Sequence, residues 1–274
     1  MSISQSNYPI GAALVEAEKV LGENRIWAPE NDKQTIFLDQ VFEVIRGEAL
    51  GARGITASHS VRSDNSSRLL TVRGILDLLV KWLEVGQKRP IHRDGQEWEG
   101  VALREKAGVS FLGSGSHRHP IVHIKTQSDD VVYMTIVDQQ PDEFELTSVF
   151  TSLTEKMWPI NDFSGVRFPM VDLRHPNEVD WIVGMSTVTE RGLPTVIEKA
   201  DQETRFKMNE VGAHVRSEFR VTMRIMASAS IVKPYYVIDQ PFLLAFTRRG
   251  LKQPLAVLFI TEKEWKNPGT LDFN

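Results

Sequence analysis

Three histidines, His117, His119 and His123, stand at positions of equal parity in the run Ser116-His-Arg-His-Pro-Ile-Val-His123. On an unbroken strand they share one face, as a metal site requires, so a metal-dependent enzyme built on this trio is one reading of the chain. Pro120 interrupts the ladder, and a two-residue turn there destroys the alignment. Cupins carry a His-x-His strand, but their glutamate and later histidine are absent at the family's spacing. Solvated turn histidines are the simpler reading. A Ser-His-Asp hydrolase finds no Gly-x-Ser-x-Gly elbow, and Gly113-Ser-Gly-Ser116 reads as a flexible turn. The glycines at 47, 51 and 54 match no phosphate loop or dinucleotide fingerprint. His59 and His175 read as surface residues, and Trp82, Trp181 and Phe242 as core. No enzyme site and no cofactor is expected.

The elements around these residues follow from periodicity. Ala13, Leu14, Ala17, Val20 and Leu21 predict a helix over 11–21 with Gly22 as its stop. Asn24–Pro29 reads as extended, because Ala28 precedes a proline. Ile36, Phe37, Val41, Phe42 and Ile45 predict a second helix over about 31–46, capped by Asn31 or Asp32. Residues 47–67 read as loop, most mobile at 63–67. A third helix is expected at about 71–85, carrying Ile75, Leu76, Leu79, Trp82 and Leu83. Residues 109–112, 121–125 and 131–137 are β-rich, the last buried on both faces. A short helix follows Pro141, and 166–173 is a strand that Pro169 makes an edge or a bend. A short helix is expected around 177–184. Phe242–Thr247 and Leu255–Thr261 close the chain as a hairpin. Helices first and strands later argue an α+β class in one domain spanning 1–274.

Composition narrows the partners. The chain has 274 residues, 41% hydrophobic and 25% charged, which suits a soluble globular protein. The net charge of −4, with no block of one sign, disfavours nucleic acid or an anionic membrane. The absence of cysteine excludes disulfides and thiolate chemistry. No signal peptide and no apolar run of about 20 residues is visible, so a cytoplasmic, soluble monomer is expected.

The C-terminal third has a further pattern. Leu193-Pro-Thr-Val-Ile-Glu-Lys-Ala200 leads to Phe206-Lys-Met-Asn-Glu-Val-Gly212, then a long polar-to-small run, then Asp239-Gln-Pro-Phe-Leu-Leu-Ala-Phe246. This order resembles the end of a serpin, the family of protease inhibitors that present an exposed bait loop. Other anchors occur in the family's order. Asn24-Arg-Ile-Trp-Ala-Pro29 is similar to its Asn-x-Ile/Val-Phe-Ser-Pro. Val132–Val137 followed by Gln140-Pro-Asp-Glu143 resembles a buried strand and turn of its second sheet. Phe168-Pro-Met-Val-Asp-Leu173 resembles its Leu-Pro-Lys-Phe strand, and Pro254-Leu-Ala-Val-Leu-Phe259 its closing hairpin. Ala28 stands where the family has serine. A full serpin is much longer, with the missing length falling between the helix expected at 71–85 and the strand near 109.

The resemblance implies a serpin-like α+β fold with a trimmed main sheet, N-terminal helices and a buried C-terminal hairpin. It implies a reactive loop over about 213–233, hinged at Gly212, Ala213 and Val215. Proteolysis is expected to cut there first. The scissile bond falls at Met226–Ala227, with Arg224 as the competing site, so the expected partner is an elastase- or subtilisin-like serine protease. A non-inhibitory serpin homologue that binds a partner or ligand is the alternative. Small residues usually follow the hinge glycine, whereas Ala213-His-Val-Arg-Ser-Glu-Phe219 follows it here. With Ala213 inward, alternation sends Val215, Ser217 and Phe219 inward and His214, Arg216 and Glu218 outward, which keeps strand insertion physically possible.

Overall fold

A computed structural model describes residues 1–48, 55–63, 68–213 and 233–272. Among these, the chain is α+β, as the order of elements predicts. After a short strand β1 (Ile3–Gln5), helix α1 runs over Asn7–Leu21, four residues earlier than its periodicity indicates, and stops at Gly22. The expected second helix forms as α2 (Asp32–Phe37), a π turn at Leu38–Phe42 and α3 (Glu43–Arg46). Asn31 caps it by accepting from the Gln34 N–H, and Phe37, Phe42 and Ile45 are fully buried.

The loop expected at 47–67 and the helix expected at 71–85 are both corrected. β2 (Ile55–Ser63) and β3 (Arg68–Leu76) form a nine-pair antiparallel hairpin. The reason is period: Leu70, Val72, Gly74, Leu76 and Leu78 form the inward row, while Leu69, Thr71, Arg73 and Ile75 face out. Most of the loop expected at 63–67 lies outside the described residues. After β3 come β4 (Val80–Lys81), β5 (Gln87–Lys88) and the small hairpin β6 (Ile91–Arg93) with β7 (Gln96–Trp98).

The largest sheet contains β9 (Val109–Ser114), β10 (His117–Lys125), β11 (Asp130–Ile136), β12 (Met157–Ile160), β20 (Phe242–Arg248) and β21 (Ala256–Ile260). With β1 its order is β1-β21-β20-β11-β10-β9-β12. The closing hairpin is paired from Phe242↔Ile260 to Phe246↔Ala256 and buried. On one face Val132, Met134, Leu244 and Leu258 join the main core. On the other, α4 (Leu146–Thr154) covers Leu243, Ala245 and Val257 with Phe150. Burial on both faces explains why the 131–137 run lacks polar alternation. At the sheet's end Asp130, 2% exposed, accepts from Arg248 Nε on one carboxylate oxygen and from Nη2 on the other.

A second sheet orders β19 (Tyr235–Val237), β13 (Gly165–Pro169), β8 (Gly100–Arg104) and β5. The chain bends after Pro169 into β14 (Val171–Asn177), so the proline marks a bend between strands, one of its two expected roles. The helix expected around 177–184 shrinks to a single 3₁₀ turn at Asp180–Ile182. β15 (Ser186–Val188) and β16 (Pro194–Val196) pair at the surface. β14 pairs in turn with β17 (Gln202–Met208), and β18 (Gly212–Ala213) pairs with β4. Among the described residues, no helix is long and apolar enough to cross a membrane.

Candidate functional site

β17 alternates as a half-buried strand should. Thr204, Phe206 and Met208 face the core, and Glu203, Arg205 and Lys207 face out. It pairs along one edge with β14, from Val171↔Met208 to Asn177↔Gln202. Among the described residues, its other edge carries no strand, and β3 likewise pairs only with β2. Between them lies a groove of about 2090 Å³. Ile10, Ala13, Leu14 and Ala17 of α1 line it with Phe246 and Leu258 of the closing hairpin. Gly74 brings β3 down onto α1, and a Cβ there would fall on the backbone of Pro9. Among the described residues these two strand edges face each other without a strand between them, above an apolar floor, and such edges can accept an added strand.

The segment after β17 turns toward this slot. The Asn209 N–H donates to the Gly212 carbonyl at 3.0 Å, and the Val211 N–H donates to Asn209 Oδ1 at 2.9 Å. Asn209 and Gly212 thus close a two-residue hairpin over Glu210 and Val211, and the chain reverses. β18 then pairs antiparallel with β4, Gly212 opposite Lys81 and Ala213 opposite Val80. β18 thus runs antiparallel to both β4 and β17.

The turn is held from the β4 side. Trp82, 1% exposed, donates its indole N–H to the Asn209 carbonyl at 3.0 Å, and its backbone N–H donates to Val211 O at 3.4 Å. The Gly86 N–H donates to Glu210 O at 2.7 Å, and Lys88 lies 3.1 Å from the Glu210 carboxylate. Gly212 has φ +148°, a backbone state that side chains disfavour. A Cβ there would lie 2.5 Å from Val80 O and 2.8 Å from Lys81 Cα. The conformation and the close approach of β4 both call for glycine at 212.

Comparison with solved structures gives the following likenesses. Serpin48 of the insect Tenebrio molitor is 11% identical, with 93% of this chain and 96% of that chain covered and a TM-score of 0.46. The thermophilic serpin tengpin in its native state is 11% identical, covering 73% and 57%, at 0.47. A serpin from the trematode Schistosoma haematobium is 13% identical, covering 72% and 57%, at 0.43. All three are serpins. The chain spans a little over half the length of the latter two. No family model and no curated protein matches it.

Of the residues singled out by sequence, Gly212 and Ala213 lie in β18, at the mouth of the slot. Val215, Arg224, Met226 and Ala227 lie outside the described residues, as does nearly all of the loop expected at 213–233. The histidine trio sits on β10, which runs through Pro120 with a register shift between His117 and Ile121 and no turn. Each ring has its own neighbour. His117 Nε2 is 2.8 Å from Thr135 Oγ1, His119 faces Asp138 beside Arg118, and His123 Nδ1 is 3.0 Å from Ser110 Oγ. Burial holds the His117 and His123 imidazoles below the usual histidine range. Among the described residues no group of three His, Cys, Asp or Glu side chains is placed to hold a metal.

His175 is a correction. It is 6% exposed, with Nε2 2.8 Å from Glu143 Oε2, while Glu143 Oε1 accepts the Glu178 N–H, so the pair ties the end of β14 to the segment before α4. His59 is partly exposed and meets buried Glu16 of α1 at 2.8 Å. Sequence reasoning missed Trp82 as more than core. Its bond to Asn209 joins residues 127 apart, a contact that no local pattern announces. It also missed Gly74, whose position inside an apolar strand run was the available signal of a close backbone approach.

Proposed function

We propose that the chain is a bait-loop inhibitor of serine proteases, acting as serpins do through residues 213–233. The observation that supports this is the hairpin at Glu210–Val211, which sends β18 back along β17 at the end of a groove bounded by two open strand edges. The loop offers an extended backbone to the protease cleft and one side chain to its main pocket. Attack by the protease serine breaks the scissile peptide bond and forms an ester between that serine and the loop's new carboxyl end. The released strand then enters the slot, pairs with β17 and β3, and carries the tethered protease away before water cleaves the ester. The driving free energy is the pairing and burial that the open edges lack before cleavage.

The reading implies a partner whose pocket takes a small or medium apolar side chain, of elastase or subtilisin type, at Met226–Ala227. Such pockets discriminate by apolar fit at ~1–3 kcal/mol per methylene. Titrating a fixed amount of elastase with the protein and following residual activity tests the reading. Activity should fall linearly to zero near stoichiometry and not recover on dilution. Met226→Asp should abolish this reaction, because it carries a charge into an apolar pocket. Arg224→Ala should leave the reaction unchanged. If Arg224→Ala alone removes inhibition, the bond lies elsewhere and the target is trypsin-like.

A further inference from the structure

The turn at Asn209–Gly212 has a second support besides β4. After a 3₁₀ turn at Glu262–Glu264 the chain buries Trp265, 4% exposed and edge-on to Trp98 with ring centroids 5.2 Å apart, and then crosses the end of β17. Asn267 shapes the crossing. Its Oδ1 accepts the Gly269 N–H at 2.9 Å, its Nδ2 donates to Glu99 Oε1 at 3.0 Å, and Gly269 turns the chain with φ +66°. The carbonyls that follow are bound by side chains at the end of β17. Asn209 Nδ2 donates to Gly269 O at 3.2 Å, and Lys207 Nζ donates to Thr270 O at 3.3 Å and to Asp272 O at 2.8 Å. Leu271, set between the two carbonyls that Lys207 binds, is 4% exposed, while Gly269, Thr270 and Asp272 are exposed.

Asn209, 6% exposed, is engaged in four directions. Its N–H serves Gly212, its carbonyl accepts from Trp82, and its Oδ1 accepts from Val211, which leaves Nδ2 as the end of the amide that meets Gly269. The residue that shapes the turn therefore also holds the segment beside it. That segment lies in no strand, and the contacts above hold it by three backbone carbonyls and one buried leucine. Main-chain bonds with a single apolar anchor are the chemistry of an extended-peptide site, and a segment held so locally can lift away without opening either sheet. Resting on the inhibitor reading above, we infer that residues 269–272 are a displaceable latch seated in a peptide site on the hinge turn. Seated, the latch fixes the point from which the loop departs. Withdrawn, it frees the turn and lowers inhibition, and an extended peptide offering the same carbonyls and leucine restores both.

Leu271→Asp in the full chain carries a charge into the buried anchor position and should unseat the segment. Amide exchange over 209–213 should then rise at least about ten-fold while β11 and β20 keep their protection, the pattern of a local opening. Leu271→Ala, the milder change, should give a smaller rise in the same place. A peptide of the sequence Lys266–Asp272 added to Leu271→Asp should restore protection, and the same peptide with aspartate for its leucine should not. Titration of elastase runs in parallel, and more Leu271→Asp protein than wild type should be consumed per elastase inactivated, with the peptide reversing the difference. Unchanged exchange over 209–213 in both variants, a rise that spreads to β11 and β20, or a failure of the peptide to restore protection overturns the latch. A local rise with unchanged elastase stoichiometry overturns its regulatory role. A local rise reversed by the peptide, in a protein that does not inhibit elastase even as wild type, overturns the inhibitor reading and leaves the peptide site standing.

Discussion

Trp82→Ala is expected to cost about 3–5 kcal/mol, the range for removing a buried aromatic, and to lower Tm by roughly 6–20 °C at this chain length. Trp82 is 1% exposed and packs edge-on against Phe168, with ring centroids 5.9 Å apart. Truncation leaves a cavity at that contact and strips the Asn209 carbonyl of its indole donor. The two effects separate in Trp82→Phe. That variant keeps most of the packing and loses the hydrogen bond, for about 1–3 kcal/mol if the carbonyl stays buried and unsatisfied. Urea denaturation measures both. If Trp82→Phe matches wild type in stability and in the rate at which the loop is cut, the indole does not hold the turn.

Gly212→Val is the second large effect. A β-branched residue at φ +148° carries backbone strain of about 1–3 kcal/mol. Its Cβ also meets the backbone of Val80 and Lys81, which cannot rotate aside as a side chain would. The expected outcome is separation of β18 from β4, with protein that still folds around its two sheets, because neither contains Gly212. Amide hydrogen exchange should show the loss of protection at Val80–Trp82 and Glu210–Ala213 while β11 and β20 keep theirs. If the chain inhibits proteases as proposed, inhibition should fall with it, since the loop then leaves from a position no longer fixed against β4. Equal protection in variant and wild type contradicts this account of the turn.

Much of the fold is legible in the sequence because local rules and packing agree there. Leu14, Ala17 and Leu21 mark one buried face of α1, Asn31 supplies the cap of α2, and the two apolar runs of the closing hairpin pair as their composition indicates. The β2–β3 hairpin is not legible for a physical reason. Its outer face carries Leu69 and Ile75, each more than a third exposed, so apolar residues occupy both parities and the period of two is hidden. Helical spacing then fits Ile75, Leu76, Leu79, Trp82 and Leu83 by coincidence. Gly74 and the β-branched Thr71, Val72 and Ile75 were the contrary signals.

The candidate site divides the same way. The alternation after Gly212 is readable in the sequence, and the last described residue of that segment, Ala213, pairs with Val80. The slot itself is not readable, since it exists only where β3, β17, α1 and the closing hairpin meet. The burial of His175 depends on Glu143, 32 residues away, which is why its sequence context suggests a surface residue.

The most direct test of the inhibitor account is a denaturing gel of the protein mixed with elastase or subtilisin near equimolar ratio. The account predicts a band near the summed mass of the protease and the chain lacking its C-terminal fragment, stable to boiling in detergent, with that fragment released beginning at Ala227. A chain cut within 213–233 that runs only at its own reduced size, while the protease keeps full activity, would contradict the account and identify the loop as a substrate.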